Sequence, residues 1–144
     1  MTEHFELRFI SYSDLDLVLS LYQIIDDKLS EDLIKKRLCD LLKGDYKIVV
    51  AFSKKDNKAI GMMGLSYGMR VYCGSYIELH HMVVSSEWRG TSIGKSLLHY
   101  ADSYALMRDV GGLTLDSYFH ATDAHSFFEK YDYVAIGKHF VKKR

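Results

Sequence analysis

The stretch from residue 76 to residue 105 constrains the fold most: an apolar strand, a glycine-bearing turn and a long amphipathic helix follow one another without a break. Residues 76–84 read as a strand, and Ile93, Leu97, Leu98, Ala101, Tyr104 and Ala105 recur at the spacing that lines one helix face. Gly111-Gly112 closes that helix, and residues 113–117 read as another strand. A strand, helix, strand unit of this kind implies a right-handed crossover between parallel neighbours.

The flanking elements complete the pattern. Residues 5–10 alternate as a strand through Phe5, Leu7 and Phe9. Ser13, with Asp16 three residues on, predicts a helix start, followed by an apolar face of Leu15, Val18, Leu19, Tyr22 and Ile25. Ser30 predicts a second cap, with Glu31 and Asp32 at the favourable end of the dipole, a face of Ile34, Leu38, Leu41 and Leu42, and Gly44 as the stop. Residues 46–53 and the run from 59 through 65 pair as a hairpin across the polar segment 54–58. Residues 123–130 predict a short helix and residues 133–141 a last strand. The order β-α-α-β-β-β-α-β-α-β defines a mixed α/β fold: one mostly antiparallel central sheet with helices on both faces. Residues 1–144 are expected to form a single domain, because the length suits one core and is short for two.

Composition removes several function classes. Lys plus Arg and Asp plus Glu balance at 19 each, so the basic excess of a nucleic-acid or membrane-surface binder is missing. Neither Cys39 nor Cys73 sits at a metal-type spacing, and two cysteines make no disulfide framework, which predicts reduced thiols in the cytoplasm. The seven histidines give no tetrahedral ligand set, so no metal is expected. The N-terminal residues 1–5 carry no leader pattern, and apolar runs such as residues 48–52 are far below the ~18 residues of a membrane span.

The chemistry concentrates in the turn Arg89-Gly90-Thr91-Ser92-Ile93-Gly94-Lys95. Glycines at 90 and 94 would let a ligand approach the backbone, the helix start offers free N–H groups to an anion, and Arg89 and Lys95 add charge. The spacing fits neither a Walker loop nor a dinucleotide fingerprint. A plain helix start with two surface basic residues is the alternative at this point.

With its neighbours the turn resembles the GNAT family of acyl-CoA N-acyltransferases. The family signature Q/R-x-x-G-x-G/A corresponds to residues 89–94, with Ser92 in place of the first glycine; the strand Glu78-Leu79-His80-His81-Met82-Val83-Val84 is similar to the strand preceding it; and Asp123-Ala124-His125-Ser126-Phe127-Phe128-Glu129-Lys130-Tyr131 is similar to the motif A-x-x-F-Y-E-K. Within the family the chain looks most like aminoalkylphosphonate N-acetyltransferases, through Gly61-Met62-x-Gly64-Leu65, Val83-Val84, Leu97-Leu98 and Asp123-Ala124-His125-x-Phe127.

The resemblance implies acetyl-CoA as co-substrate and direct transfer to the primary amine of a small molecule. It implies that the backbone of Met82, Val83 and Val84 pairs with the pantetheine amides and that Arg89, Gly90, Thr91, Ser92, Ile93, Gly94 and Lys95 wrap the pyrophosphate. Phe128 joins the cofactor contacts. It stands where many relatives carry a tyrosine acid, leaving Tyr131 as the phenol three residues on; a partly buried aromatic is the alternative for Tyr131. An alkylamine of pKa about 10.4 must lose a proton before it attacks. Glu78 matches the general base of some relatives, and strict alternation would put Glu78, His80, Met82 and Val84 on one face. His80 is a second candidate, an exposed strand start being the alternative for Glu78. Arg70, Tyr72 and His80 are the expected acceptor contacts, Arg70 for an anionic group. A peptide or protein acceptor and a non-catalytic acyl-CoA-binding module are the other readings, and a homodimer is compatible with all of them.

Overall fold

The computed structural model describes residues 4–144; Met1, Thr2 and Glu3, part of the stretch read for a leader, lie outside the described residues. The elements are β1 (Phe5–Phe9), a 3₁₀ turn (Tyr12–Leu17), α1 (Leu19–Ile25), α2 (Glu31–Leu42), β2 (Tyr46–Ser53), β3 (Ala59–Arg70), β4 (Gly74–Val84), α3 (Ile93–Met107), β5 (Gly112–Leu115) and α4 (Thr122–Lys130). The sheet order is β1-β2-β3-β4-β5. Every neighbouring pair is antiparallel except β4 and β5, which run parallel across the α3 connection. Among the described residues no helix is long and apolar enough to cross a membrane.

Two cores follow from the alternation of β2. Val49 and Ala51 face α3, where Ile93, Leu97, Leu98, Ala101, Tyr104 and Ala105 are all buried, as the helical spacing predicts. Ile48, Val50 and Phe52 face the opposite way, against Leu19, Leu21 and Tyr22 of α1 and Ile34 and Leu38 of α2. Gly61 sits where α3 crosses the sheet; a Cβ there would press on the Ile93 side chain. At the far end of α3, the Arg108 guanidinium grips both carboxylate oxygens of Asp45 at 3.0 and 2.7 Å and also donates to the Tyr104 hydroxyl at 2.6 Å. That grip holds the Asp45 carboxyl below the usual carboxylate range.

Two local expectations are corrected. The first helical segment is not capped by Ser13: the Asp14 carboxylate accepts the Ser11 N–H at 3.2 Å, and the turn after it is 3₁₀ before α1 begins. Ser30 does cap α2, its hydroxyl oxygen accepting the Leu33 N–H at 3.2 Å. The end of α3 comes before the paired glycines, with Asp109 in the left-handed region at φ 55°. Asp132 does the same after α4 at φ 71°, a conformation that glycine takes most readily.

The expected strand at residues 133–141 does not form. Residues 133–144 lie in neither helix nor strand, and Val134, Ile136, Phe140 and Val141 are exposed. Tyr133 packs on Phe128, and His139 Nδ1 lies 3.4 Å from the carboxylate of Asp116, just past β5. An alternating pattern marks a segment fit for a sheet, but pairing also needs a neighbouring edge, and β5 offers only four residues.

Candidate active site

The parallel pair is short. β4 and β5 are paired only from Tyr76 opposite Gly112 to Leu79 opposite Leu115. β4 then runs on to Val84, held on its other side by β3 through Met62–Val83 and Gly61–Val84. Among the described residues, the backbone of residues 80–84 therefore pairs with no strand on the β5 side, where the start of α3 bounds it. An unpaired strand edge is a template for any extended chain carrying amides.

A bulge re-aims the side chains along this edge. Gly64 pairs with His80 and Met62 with Val83, so β4 carries one residue more than β3 between these points. The extra residue is accommodated at His81, whose φ of 49° is unusual for a side-chain-bearing residue. Before the bulge, Ile77 and Leu79 face α3 while Glu78 and His80 face the side of α1 and α2. After it, Met82 and Val84 pack on the α3 side and Val83 joins the other core. The expected common face of Glu78, His80, Met82 and Val84 is thereby overturned: strict alternation cannot cross a bulge.

The register of the β3–β4 hairpin builds a polar stripe on the α1–α2 side. Ser66 stands opposite Glu78 and Gly68 opposite Tyr76. His80 Nε2 lies 2.7 Å from the Ser66 hydroxyl, and its Nδ1 lies 3.6 Å from the Glu78 carboxylate. Hydroxyl, imidazole and carboxylate thus form a line, with the His80 side chain 26% and the Glu78 side chain 27% exposed. The Tyr46 ring flanks His80 with centroids 5.3 Å apart. Sequence reading missed Ser66; counting the hairpin register back from the turn would have placed it opposite Glu78. His81, on the bulge, has its pKa lowered first by burial and then by the neighbouring His80.

Arg70 extends the stripe toward the hairpin tip, its guanidinium 4.6 Å above the Tyr76 ring, whereas Tyr72 is 82% exposed in the tip itself. Tyr131 is placed elsewhere. It caps α4 on the α3 side, 5.1 Å from Phe127 and 6.4 Å from His99, on the opposite face of the sheet from Glu78. Phe128 packs between Phe127 and Tyr133.

The turn before α3 is preorganised by its own contacts. Arg89 Nε donates to the Val84 carbonyl at 3.3 Å, the Thr91 hydroxyl donates to the Trp88 carbonyl at 2.5 Å, and Gly90 takes φ 77° in open space. Gly94 serves packing: a Cβ there would lie 3.1 Å from the Phe127 ring, so this glycine lets α4 close on α3. Lys95 is exposed beside the turn. A cavity of about 390 Å³ borders residues 85–88, between α1 and the β2–β3 turn. A second, about 200 Å³, lies under α1 and α2 and reaches Tyr46 and His81. Among the described residues no group of three or more His, Cys, Asp or Glu could hold a metal ion.

The sheet's parallel pair opens beside a helix start, with an anion-suited turn at one end and a carboxylate–imidazole pair on the α1–α2 side, an arrangement with room for an extended, anion-tipped ligand beside an acid–base group. The sequence pattern of the acetyltransferase (GNAT) domain matches residues 12–144. The chain belongs to the GNAT family and is an acyltransferase of that type. Solved structures agree on the fold. It is similar to the aminoglycoside N-acetyltransferase AAC(6')-Iy in complex with a bisubstrate analogue, at 17% identity and TM-score 0.85, covering 99% of each chain. A GNAT family acetyltransferase from Staphylococcus aureus shares 23% identity at TM-score 0.80, over 98% of this chain and 99% of that one. Glucosamine-6-phosphate N-acetyltransferase from Arabidopsis thaliana shares 18% identity at TM-score 0.79, with the same coverage. No curated protein matches the chain in sequence.

Proposed function

We propose that this chain transfers the acetyl group of acetyl-CoA directly to the primary amine of a small molecule. The observation that carries the reading is the edge of β4 at residues 80–84 that no strand covers, leading to the turn of Arg89 and Lys95 and beginning at the Glu78–His80 pair. The backbone of Met82, Val83 and Val84 is assigned to the pantetheine amides, and residues 89–95 to the pyrophosphate, with Phe128 against the arm. When bound, acetyl-CoA supplies a thioester carbonyl for the amine nitrogen to attack, with the C–S bond breaking to release thiolate.

The protein's task is mainly proton handling. An amine of pKa about 10.4 is free base in only about one molecule in 10³ near pH 7.4, a deficit of about 4 kcal/mol. Glu78 is assigned as the base that takes the ammonium proton, directly or through water. His80, fixed between Glu78 and Ser66, orients that carboxylate and is its second proton carrier. The departing sulfur asks for less, since a thiol of pKa about 8.5 leaves readily as thiolate. Tyr131 is the phenol assigned to it, and its packing against His99 makes Tyr131→Phe the variant with the smaller expected loss.

Arg70, with Tyr72 at the tip, is assigned to an anionic group of the acceptor, as an aminoalkylphosphonate would carry. No metal is assigned a role. The reading places the protein in the cytoplasm, acting on neither nucleic acid nor membrane. The exposed Val134, Ile136, Phe140 and Val141 favour a homodimer that covers residues 133–144. Light scattering after gel filtration should give twice the chain mass of 16.6 kDa, and a monomer that persists at high concentration would refute it.

Release of free coenzyme A across a panel of aminoalkylphosphonates, alkylamines, polyamines, aminoglycosides and short peptides tests the activity. Release with one amine class is expected. Release with peptides alone would favour a protein acceptor, and silence together with a raised melting temperature in acetyl-CoA would favour a binding module.

A further inference from the structure

We infer that the pocket under α1 and α2 selects the acceptor, admitting an amine whose remaining body is apolar or aromatic and rejecting one that carries a second cation. The inference rests on the proposed placing of the acceptor amine at Glu78 and His80. Three observations carry it. The pocket is continuous with the polar stripe: Tyr46, which flanks His80 at 5.3 Å, and His81, which approaches Tyr22 at 6.3 Å, are both in its wall. Its remaining wall is Ile25, Leu29, Ile34, Leu38 and Leu41 with Arg37, so a guanidinium is present and no carboxylate is. Its volume, about 200 Å³, suits one aromatic ring or a short alkyl chain.

The pocket is also built rather than left over between helices. Tyr22 and Tyr46 are more than nine-tenths buried, and among the described residues neither hydroxyl has a hydrogen-bond partner. The two phenols are neighbours, and the Tyr22 hydroxyl is pushed up first by burial and then by Tyr46. Gly64 makes this possible, because a Cβ at 64 would fall on the Tyr46 hydroxyl. Two buried phenols with no protein partner beyond each other leave hydrogen-bonding capacity beside an apolar slot for a ligand to use.

Charge gives the direction of the selectivity. A polyamine that put one nitrogen at Glu78 would bring its second ammonium toward Arg37 with no carboxylate in the wall to receive it. An alkyl or aryl group loses only water there, and each methylene buried is worth about fourfold in affinity. An acid elsewhere on the acceptor meets Arg37 favourably.

The test titrates ethylamine, butylamine, 2-phenylethylamine and spermidine into the CoA-bound protein by calorimetry, and measures coenzyme A release from acetyl-CoA with the same amines. Affinity is expected to rise from ethylamine through butylamine to 2-phenylethylamine by at least tenfold, with spermidine weakest. Leu41 and Arg37 are exposed, so Leu41→Asp and Arg37→Glu should fold. Leu41→Asp should cut the preference for 2-phenylethylamine over ethylamine about tenfold, and Arg37→Glu should raise spermidine affinity at least fivefold. Spermidine binding more tightly than 2-phenylethylamine, or an unchanged preference in Leu41→Asp, would overturn the inference. The calorimetric preference without coenzyme A release would uphold the pocket and sink the transfer chemistry; release without the preference would sink the pocket alone.

Discussion

Glu78→Gln is expected to lower kcat for the preferred amine by 10²–10⁴-fold at neutral pH while leaving the melting temperature and the CoA-induced stabilisation close to wild type. The substitution keeps the shape of the side chain and removes its ability to accept a proton. Because Glu78 is partly exposed on the sheet, the fold does not depend on its charge. Two further readouts separate a base from a mere positioning charge. Raising the pH toward the amine's own pKa supplies free base from solution, so the mutant should recover activity steeply with pH, about tenfold per unit, until the amine is deprotonated. His80→Gln should lose less than Glu78→Gln if His80 only orients the carboxylate, and as much if it carries the proton onward. An unchanged kcat in Glu78→Gln would remove the carboxylate from the mechanism.

Much of the scaffold was legible from periodicity because burial on one face of a helix follows from spacing alone. All of the residues assigned to the inner face of α3 are buried there, and the Ser30 cap is in place. The site was harder to read because it depends on departures from periodicity. The bulge at His81 moves Met82 and Val84 to the opposite side of the sheet from His80, and nothing in the run His80-His81-Met82 distinguishes a bulged strand from a regular one. Ser66 meets His80 only once that register is known. Gly94 also meets Phe127, more than thirty residues later in the chain, a contact that its place in the turn does not reveal. Residues 133–141 carry a strand pattern whose partner is not supplied by their own sheet, and a pattern cannot say where its partner is.

The cofactor end of the site yields the second large effect. Arg89→Glu combined with Lys95→Glu is expected to weaken coenzyme A binding by about 10³-fold, each reversal removing a charge-assisted contact worth about 1.5–3 kcal/mol. Both side chains are exposed, so stability should change little; Arg89 loses one hydrogen bond, from Nε to the Val84 carbonyl. The loss should appear in KM for acetyl-CoA, with kcat at saturation largely kept, because neither residue lies on the Glu78–His80 stripe. Ionic strength gives an independent check. Wild-type affinity should fall as salt rises, since exposed charges are screened beyond a Debye length of about 8 Å at physiological salt, and the double variant should lose that dependence. Dephospho-CoA and free pantetheine sharpen the assignment: the variant should discriminate little between coenzyme A and pantetheine, whereas the wild type should prefer coenzyme A strongly. If the double variant binds coenzyme A as tightly as the wild type, the diphosphate lies elsewhere. The cavity beside residues 85–88, whose lining includes Lys55 and Lys58, would then be the next place to look for it.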